Sequence, residues 1–319
     1  MLAIGEFLID LIATHGATSL LDVETLAVRP GGAPANVAVA LARMGVNSGL
    51  CAVVGQDPFG DRLIAVLDAN GVDRTRVRQD HSADTTLALA WKDARGDGHF
   101  RLLRQADILL NVDDIVAAGI DELDAIVVGS CSLSHYPSRA AIEWAVGTAF
   151  DEDVPVCFDV NIRPTIWANR EAAWPVCESI LDSSTLVKMS MDDARFLFDL
   201  GADATPDQVV ELHGRFESPF IVITDGARGA WFSNWLEGRH TPPVFVPAFS
   251  VDAKEPTGAG DAFVAAIIAR LIASNWAALT VDDVRYASAA GALTTTREGA
   301  IDSLPTGAEI QDFLDARVG

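Results

Sequence analysis

The segment Pro256-Thr257-Gly258-Ala259-Gly260-Asp261-Ala262-Phe263 sets a carboxylate beside a turn of small residues, and an apolar run from Phe263 to Ala273 follows it. Glycines at 258 and 260 let an oxyanion approach backbone N–H groups where a helix begins. Unpaired N–H groups and the helix dipole both favour negative charge there. Asp261 beside such a cradle suits a base that takes the proton of a hydroxyl while a phosphoryl group is transferred to it. An ordinary helix N-cap uses the same residue type, so this segment alone leaves both readings open.

A second glycine turn runs into a small-residue helix at Pro30-Gly31-Gly32-Ala33-Pro34-Ala35-Asn36, and Gly45 marks that helix's end. Asn36 falls in its first turn, where an amide can both donate to and accept from a polyhydroxylated ligand. A plain helix entry is the alternative.

These segments need a scaffold, and the chain reads as one that can build it. Its 319 residues are 50% hydrophobic, enough for a large core, and it shows no internal repeat or low-complexity linker. Short β-branched runs alternate with amphipathic, helix-length segments, the pattern of a mostly parallel sheet covered by helices. The expected strands are Ala3–Ile9, Ser48–Val54, Ala125–Gly129, Val156–Asp159, Leu186–Met189 and Phe220–Thr224. The expected helices are Ala35–Met44, Asp61–Ala69, Ser138–Ala149, Arg170–Ile180, Met191–Leu200 and Thr205–Phe216. Two stretches, about 10–30 and 85–105, break the rhythm. The second reads as a hairpin, Thr86–Trp91 with His99–Leu103, joined around Arg95-Gly96-Asp97-Gly98.

Composition excludes several partners. A formal net charge of -22 repels nucleic acid and anionic membranes. No run reaches the ~18 apolar residues of a membrane span, and the chain starts with a strand-like run rather than a basic leader. The scattered Cys51, Cys131, Cys157 and Cys177 show no metal-ligand spacing and read as reduced thiols of a cytoplasmic protein.

Together the two glycine segments resemble the signature regions of the ribokinase (PfkB-type) carbohydrate kinase family, and most closely its fructokinases. Ile4–Asp10 resembles the opening strand, Val54–Gly60 the following loop, Asp159-Val160-Asn161-Ile162-Arg163 a mid-chain motif, and Gly291–Thr296 with Gly299-Ala300 the C-terminal turn. The resemblance implies one α/β kinase domain over 1–319: a ribokinase-like doubly wound sheet flanked by helices. It also implies a small β-sheet lid from the two irregular stretches, which can serve as a homodimer contact.

The same resemblance implies site residues. Asp261 would be the base, with the N–H groups of Gly258, Ala259 and Gly260 holding phosphoryl charge. Asp10, expected at the C-terminal end of the first strand, would bind sugar with Gly31, Gly32, Asn36, Arg104 and Arg163. Lys188, Thr224, Gly226, Gly229, Ser288, Ala289 and Ala292 would bind ATP. Asp193 would meet Mg2+ through water, and Glu255, Thr257, Gly299 and Ser303 a monovalent cation such as K+. Three positions depart from the family pattern: Glu255-Pro256-Thr257 for Asp-Thr-Thr, Ser190-Met191-Asp192-Asp193 for Asn-x-x-Glu, and Ser288 for Asn.

The implied activity is ATP-dependent phosphorylation of the primary hydroxyl of a keto-sugar, D-fructose first, then 2-keto-3-deoxygluconate, then ribose. Two readings from other classes compete. A Rossmann dehydrogenase is disfavoured, since no Gly-x-Gly-x-x-Gly follows the first strand with an acidic residue roughly twenty positions on. A non-catalytic sugar sensor on the same scaffold would be expected to have lost Asp261 or its glycines.

Overall fold

The computed structural model describes residues 1–14, 19–92 and 98–317. Arg95, Gly96 and Asp97 of the expected hairpin turn, and residues 15–18 of the first irregular stretch, lie outside them.

The chain builds two sheets. The strands, numbered along the chain, are β1 (Leu2–Ile4), β2 (Leu8–Ala13), β3 (Leu26–Gly31), β4 (Gly49–Gly55), β5 (Val77–Asp80), β6 (Leu87–Lys92) and β7 (Gly98–Leu103). They continue with β8 (Ile126–Gly129), β9 (Val156–Asp159), β10 (Leu186–Ser190), β11 (Phe220–Thr224), β12 (Gly229–Leu236), β13 (Arg239–His240) and β14 (Val244–Pro247). The large sheet runs β13-β12-β11-β10-β9-β8-β1-β4-β5, with β14 pairing β12, and is parallel from β11 to β5. The small sheet runs β3-β2-β6-β7 and is the expected lid.

Helices cover both faces of the large sheet. They are α1 (Ala33–Arg43), α2 (Pro58–Asn70), α3 (Val112–Val116), α4 (Ser138–Asp151), α5 (Arg170–Leu181), α6 (Met191–Phe198), α7 (Pro206–His213), α8 (Ala259–Ala273), α9 (Val281–Thr295), α10 (Ala300–Ser303) and α11 (Gly307–Asp315). Strand side chains alternate between two cores. Ala3, Val127, Cys157, Leu186 and Val222 pack with α1, α8 and α9. Ile4, Val128, Phe158, Val187 and Ile223 pack with α4 to α7. By the same alternation Asp159, two residues after Cys157, and Lys188, two after Leu186, face the α8 side.

The sequence expectation needs one substantial correction. Ala3–Ile9 is not one strand. The chain breaks at Gly5, whose φ is +149° and where a Cβ would lie 2.8 Å from Pro34 Cγ. β1 stays in the large sheet, while β2 crosses into the lid and pairs β3 and β6. Asp10 therefore sits inside a lid strand rather than at the end of a core strand. Smaller differences follow local geometry: α6 stops at Phe198 because Asp199 turns left-handed, φ 57°. The antiparallel strands β12 to β14 form an edge that the parallel pattern did not announce.

From β1 the chain steps one way to β4 and β5, then returns to add β8 to β11 on the other side. That reversal opens a crevice beyond the strands' C-terminal ends, where ligands collect in such sheets. Among the described residues no helix is long and apolar enough to cross a membrane.

Candidate active site

α8 begins at the crevice. Gly258 caps it with φ 83°, a left-handed angle that suits glycine, and a Cβ there would lie 3.1 Å from Ala300 O. The Ala259 N–H turns back onto Pro256 O at 3.1 Å. Among the described contacts the Gly260 and Asp261 N–H groups that follow have no backbone acceptor, and the helix ladder starts with the Ala262 N–H on Gly258 O at 2.9 Å. Asp261 lies in this first turn, buried, and its Oδ2 accepts from Asn36 Nδ2 at 2.7 Å. Asn36 comes from the first turn of α1, so the two glycine segments meet through this bond. Among the described residues Asn36 Oδ1 is buried without a partner and remains open to a donor.

Beneath this turn lies Lys188. Its Nζ is 3.4 Å from where a Cβ on Gly260 would sit, and 2.9 Å from Asp159 Oδ1. Both partners are buried, and Asp159 Oδ2 has no hydrogen-bond partner among the described residues. Burial alone would lower the Lys188 pKa, but Asp159, Asp193 and Asp261 outweigh it and hold the ammonium charged. Burial pushes Asp159 up to about 6 against the pull of Lys188, with Asp261 and Asp193 adding to the rise. Burial also raises Asp261; the Asn36 hydrogen bond, Lys188 and Arg163 pull the other way.

Asp10 faces the same charges from the lid. Burial first, then Asp261 and Glu255, raise its carboxyl to about 7, while Arg163 opposes them. Gly31 on β3 lies against it: a Cβ there would fall 2.0 Å from Asp10 Oδ2. Gly32, at φ 108°, packs on the backbone of Glu6, where a Cβ would meet Glu6 O at 2.5 Å. Arg163 is exposed in the loop after β9, and its Nη1 donates to Asn161 Oδ1 at 2.6 Å.

Other expected site residues lie at the margin of this group or outside it. Arg104 is committed to the base of the lid: Nη2 pairs with Asp107 Oδ2 at 2.5 Å, and Nη1 donates to Cys131 O and Ser134 Oγ. Asp193 caps α6, its Oδ2 accepting from Ser190 N and Oγ, while Oδ1 accepts from the Ile162 N–H at 2.8 Å. It thereby anchors the loop that carries Arg163. Glu255 Oε2 accepts from the Gly299 N–H at 2.9 Å, Ser303 Oγ donates to Ala300 O, and Thr257 is exposed. Thr224 ends β11 beside Ser190 of β10, with Gly226 and Gly229 in the turn that follows. Ser288 and Ala289 are buried on α9, Ala292 half-buried.

Two acids were not singled out from the sequence. Asp159 stood inside a quoted motif, but its partner Lys188 is on the next parallel strand, a helix away in the chain. Glu6, buried and accepting from Ser132 Oγ at 2.7 Å, had one signal: an acid within the apolar run Ile4-Gly5-Glu6-Phe7.

Over nearly its full length the chain is similar to known sugar kinases. The chain is 35% identical over 322 residues to fructokinase-1 of Zea mays, covering 99% of this chain and 97% of that one. It is 33% identical to fructokinase-1 of Oryza sativa subsp. japonica, covering 99% and 98%. Among solved structures, an uncharacterized sugar kinase from Pyrococcus horikoshii in complex with ATP matches with TM-score 0.84 and 30% identity, covering 99% of this chain and 98% of that one. A Vibrio cholerae fructokinase in its fructose, ADP and calcium ion bound form matches with TM-score 0.82 and 27% identity, covering 98% of each. A doubly wound sheet with a strand lid, a buried carboxylate at a glycine-capped helix start, and a match over residues 1–307 lead to one assignment: the chain belongs to the pfkB family of carbohydrate kinases.

Proposed function

We propose that this carbohydrate kinase transfers the γ-phosphoryl group of ATP to the primary hydroxyl of D-fructose, giving fructose 6-phosphate. The observation that carries the reading is Asp261, buried at the start of α8 between the Asn36 amide and the Lys188 ammonium. Its carboxylate takes the hydroxyl proton as the sugar oxygen attacks the γ-phosphorus, and the bond to the ADP oxygen breaks. The N–H groups opening α8 and the charge of Lys188 balance the transferring phosphoryl. Asp10 and the open Asn36 Oδ1 accept sugar hydroxyls.

The cradle fits a phosphate, since the space above Gly260 is free of side chain and backed by an ammonium. Thr224, Gly226, Gly229, Ser288, Ala289 and Ala292 would hold the rest of the nucleotide. Magnesium carried with ATP would neutralise phosphate charge. Asp193, with both oxygens engaged by Ile162 and Ser190, would reach it through water. The oxygens of Glu255, Thr257, Gly299 and Ser303 suit a hard monovalent cation such as K+. A cytoplasmic homodimer joined through the lids completes the reading.

Fructose is favoured over the sugar acid 2-keto-3-deoxygluconate by charge. Arg104 is tied to Asp107 and Lys188 to Asp159, which leaves Arg163 against Asp10, Asp261 and Glu255. A substrate carboxylate would meet net repulsion there. The names and bound sugar of the relatives above support the same choice. The test is a coupled ADP-release assay across fructose, 2-keto-3-deoxygluconate, ribose and nucleosides, with fructose expected to give the highest kcat/KM. Faster turnover of 2-keto-3-deoxygluconate, with the preference abolished by Arg163→Ala, would overturn it. Sugar binding with no ADP release from any substrate would favour a sensor.

A further inference from the structure

Asp159 is buried and ionisable, and it takes no part in the proton or phosphoryl transfer. It ends β9 on the face that carries α8, and one of its oxygens holds Lys188 Nζ at 2.9 Å. A buried ion pair adds little net stability, because desolvating two charges offsets their attraction, and apolar side chains would fill the same space at least as well. What the pair achieves is location. Lysine carries its charge on a flexible four-carbon stem. Here that stem ends 3.4 Å from the Cβ position of Gly260.

We infer that Asp159 is a positioning residue that holds the Lys188 ammonium beneath the first turn of α8, where the charge of a transferring phosphoryl group would build. The inference rests on the kinase reading for its purpose but not for its geometry. Asp193 of α6 and Asp261 of α8 also lie close enough to influence the ammonium, yet both oxygens of Asp193 are engaged by Ile162 and Ser190, and Asp261 bonds Asn36 through one oxygen and does not hydrogen-bond the ammonium among the described contacts. Asp159 alone gives Lys188 a direct hydrogen bond among the described contacts.

The chain has three lysines, Lys92, Lys188 and Lys254, so the side-chain nitrogens can be followed one by one by NMR after 15N-lysine labelling, with Lys188→Met assigning the signal. In the wild type, Lys188 Nζ should be protected from solvent exchange and should shift when ADP is added. In Asp159→Asn the protection and the shift should both be lost. An unchanged Lys188 signal and response in that variant would overturn the inference. Kinetics supply a second arm: Asp159→Asn and Lys188→Met should each lower kcat at least about tenfold, with sugar KM within about twofold, and the double variant should be no worse than Lys188→Met alone. Additive losses would overturn it. Should Asp159→Asn fail to fold, Asp159→Glu keeps the charge but displaces it by one carbon; wild-type kcat and an unmoved Lys188 signal there would also overturn it. A protein that turns over no sugar would sink the kinase reading, while the lysine spectrum still decides the tether.

Discussion

Asp261 has to stay ionised while buried, and that tension sets its chemistry. Burial raises its pKa, and the Asn36 amide with the Lys188 and Arg163 charges counter the rise. Asp261→Asn is expected to lower kcat by roughly 10²–10⁴-fold with little change in sugar KM. Thermal unfolding should stay near wild type, since an amide oxygen at this position can still accept from Asn36 Nδ2 while a buried charge is removed. A variant keeping more than about a tenth of wild-type kcat would remove Asp261 from the role. Asp10 differs, because its carboxyl is held up to about 7. Only the ionised form accepts hydroxyl hydrogens with both oxygens. Fructose KM should therefore rise as pH falls below about 7. Asp10→Ala should raise KM at least about tenfold, matching the loss of about 1.5–3 kcal/mol for a hydrogen bond to a charged group, and should flatten that pH dependence.

At the scale of the element, the start of α8 divides its work between two glycines. Gly260 is not left-handed, so a side chain there strains no backbone angle; a Cβ would touch Lys188 Nζ at 3.4 Å. Gly258 is left-handed and pressed against Ala300. Gly258→Ala should cost about 1–2 kcal/mol in denaturant unfolding through its backbone angle. Gly260→Val should leave stability closer to wild type yet abolish turnover with sugar binding retained in calorimetry. Loss of fructose binding with normal ATP binding would place the cradle in the wrong half of the crevice. The loop after β9 shows the same economy: Asp193 caps α6 and, through Ile162, fixes the backbone beside Arg163.

Over the whole molecule, acid sensitivity has a specific source away from the crevice. His213 ends α7 fully buried, both ring nitrogens lack hydrogen-bond partners among the described residues, and its ring centroid lies 5.7 Å from that of His240. Burial, then His240 and Arg215, lower its pKa to about 3. The unfolded chain binds this proton near pH 6.5, whereas the folded chain does not until about 3. His213 thus adds a stability term that is intact above pH 6.5 and shrinks as pH falls toward 3. The slope is about 1.4 kcal/mol per pH unit. His213→Phe should flatten the loss of Tm between pH 6 and 4, measured by calorimetry; an unchanged slope would mean His213 is not the acid-sensitive group.

The sequence by itself determined the layered α/β plan, most strand and helix positions, the lid segments and the glycine-Asp261 start of α8. These are local: periodicity, turn residues and capping are written in neighbouring positions. It also carried the family resemblance, which implies Asp10 and Asn36 as sugar-binding residues. Only the tertiary structure decided how those residues meet. The break at Gly5, where φ is +149° and a Cβ would meet Pro34, puts Asp10 in the lid rather than in the core sheet. Arg104 and Asp107 stand three residues apart, but nothing local announced that Cys131 O and Ser134 Oγ would both accept from Nη1. Asp159 and Lys188 sit side by side because parallel strands are joined through a helix, so neighbours across the sheet are some thirty residues apart in the chain. Burial then did the rest: removing water gives Asp10, Asp159 and Asp261 pKa values that composition and spacing do not encode.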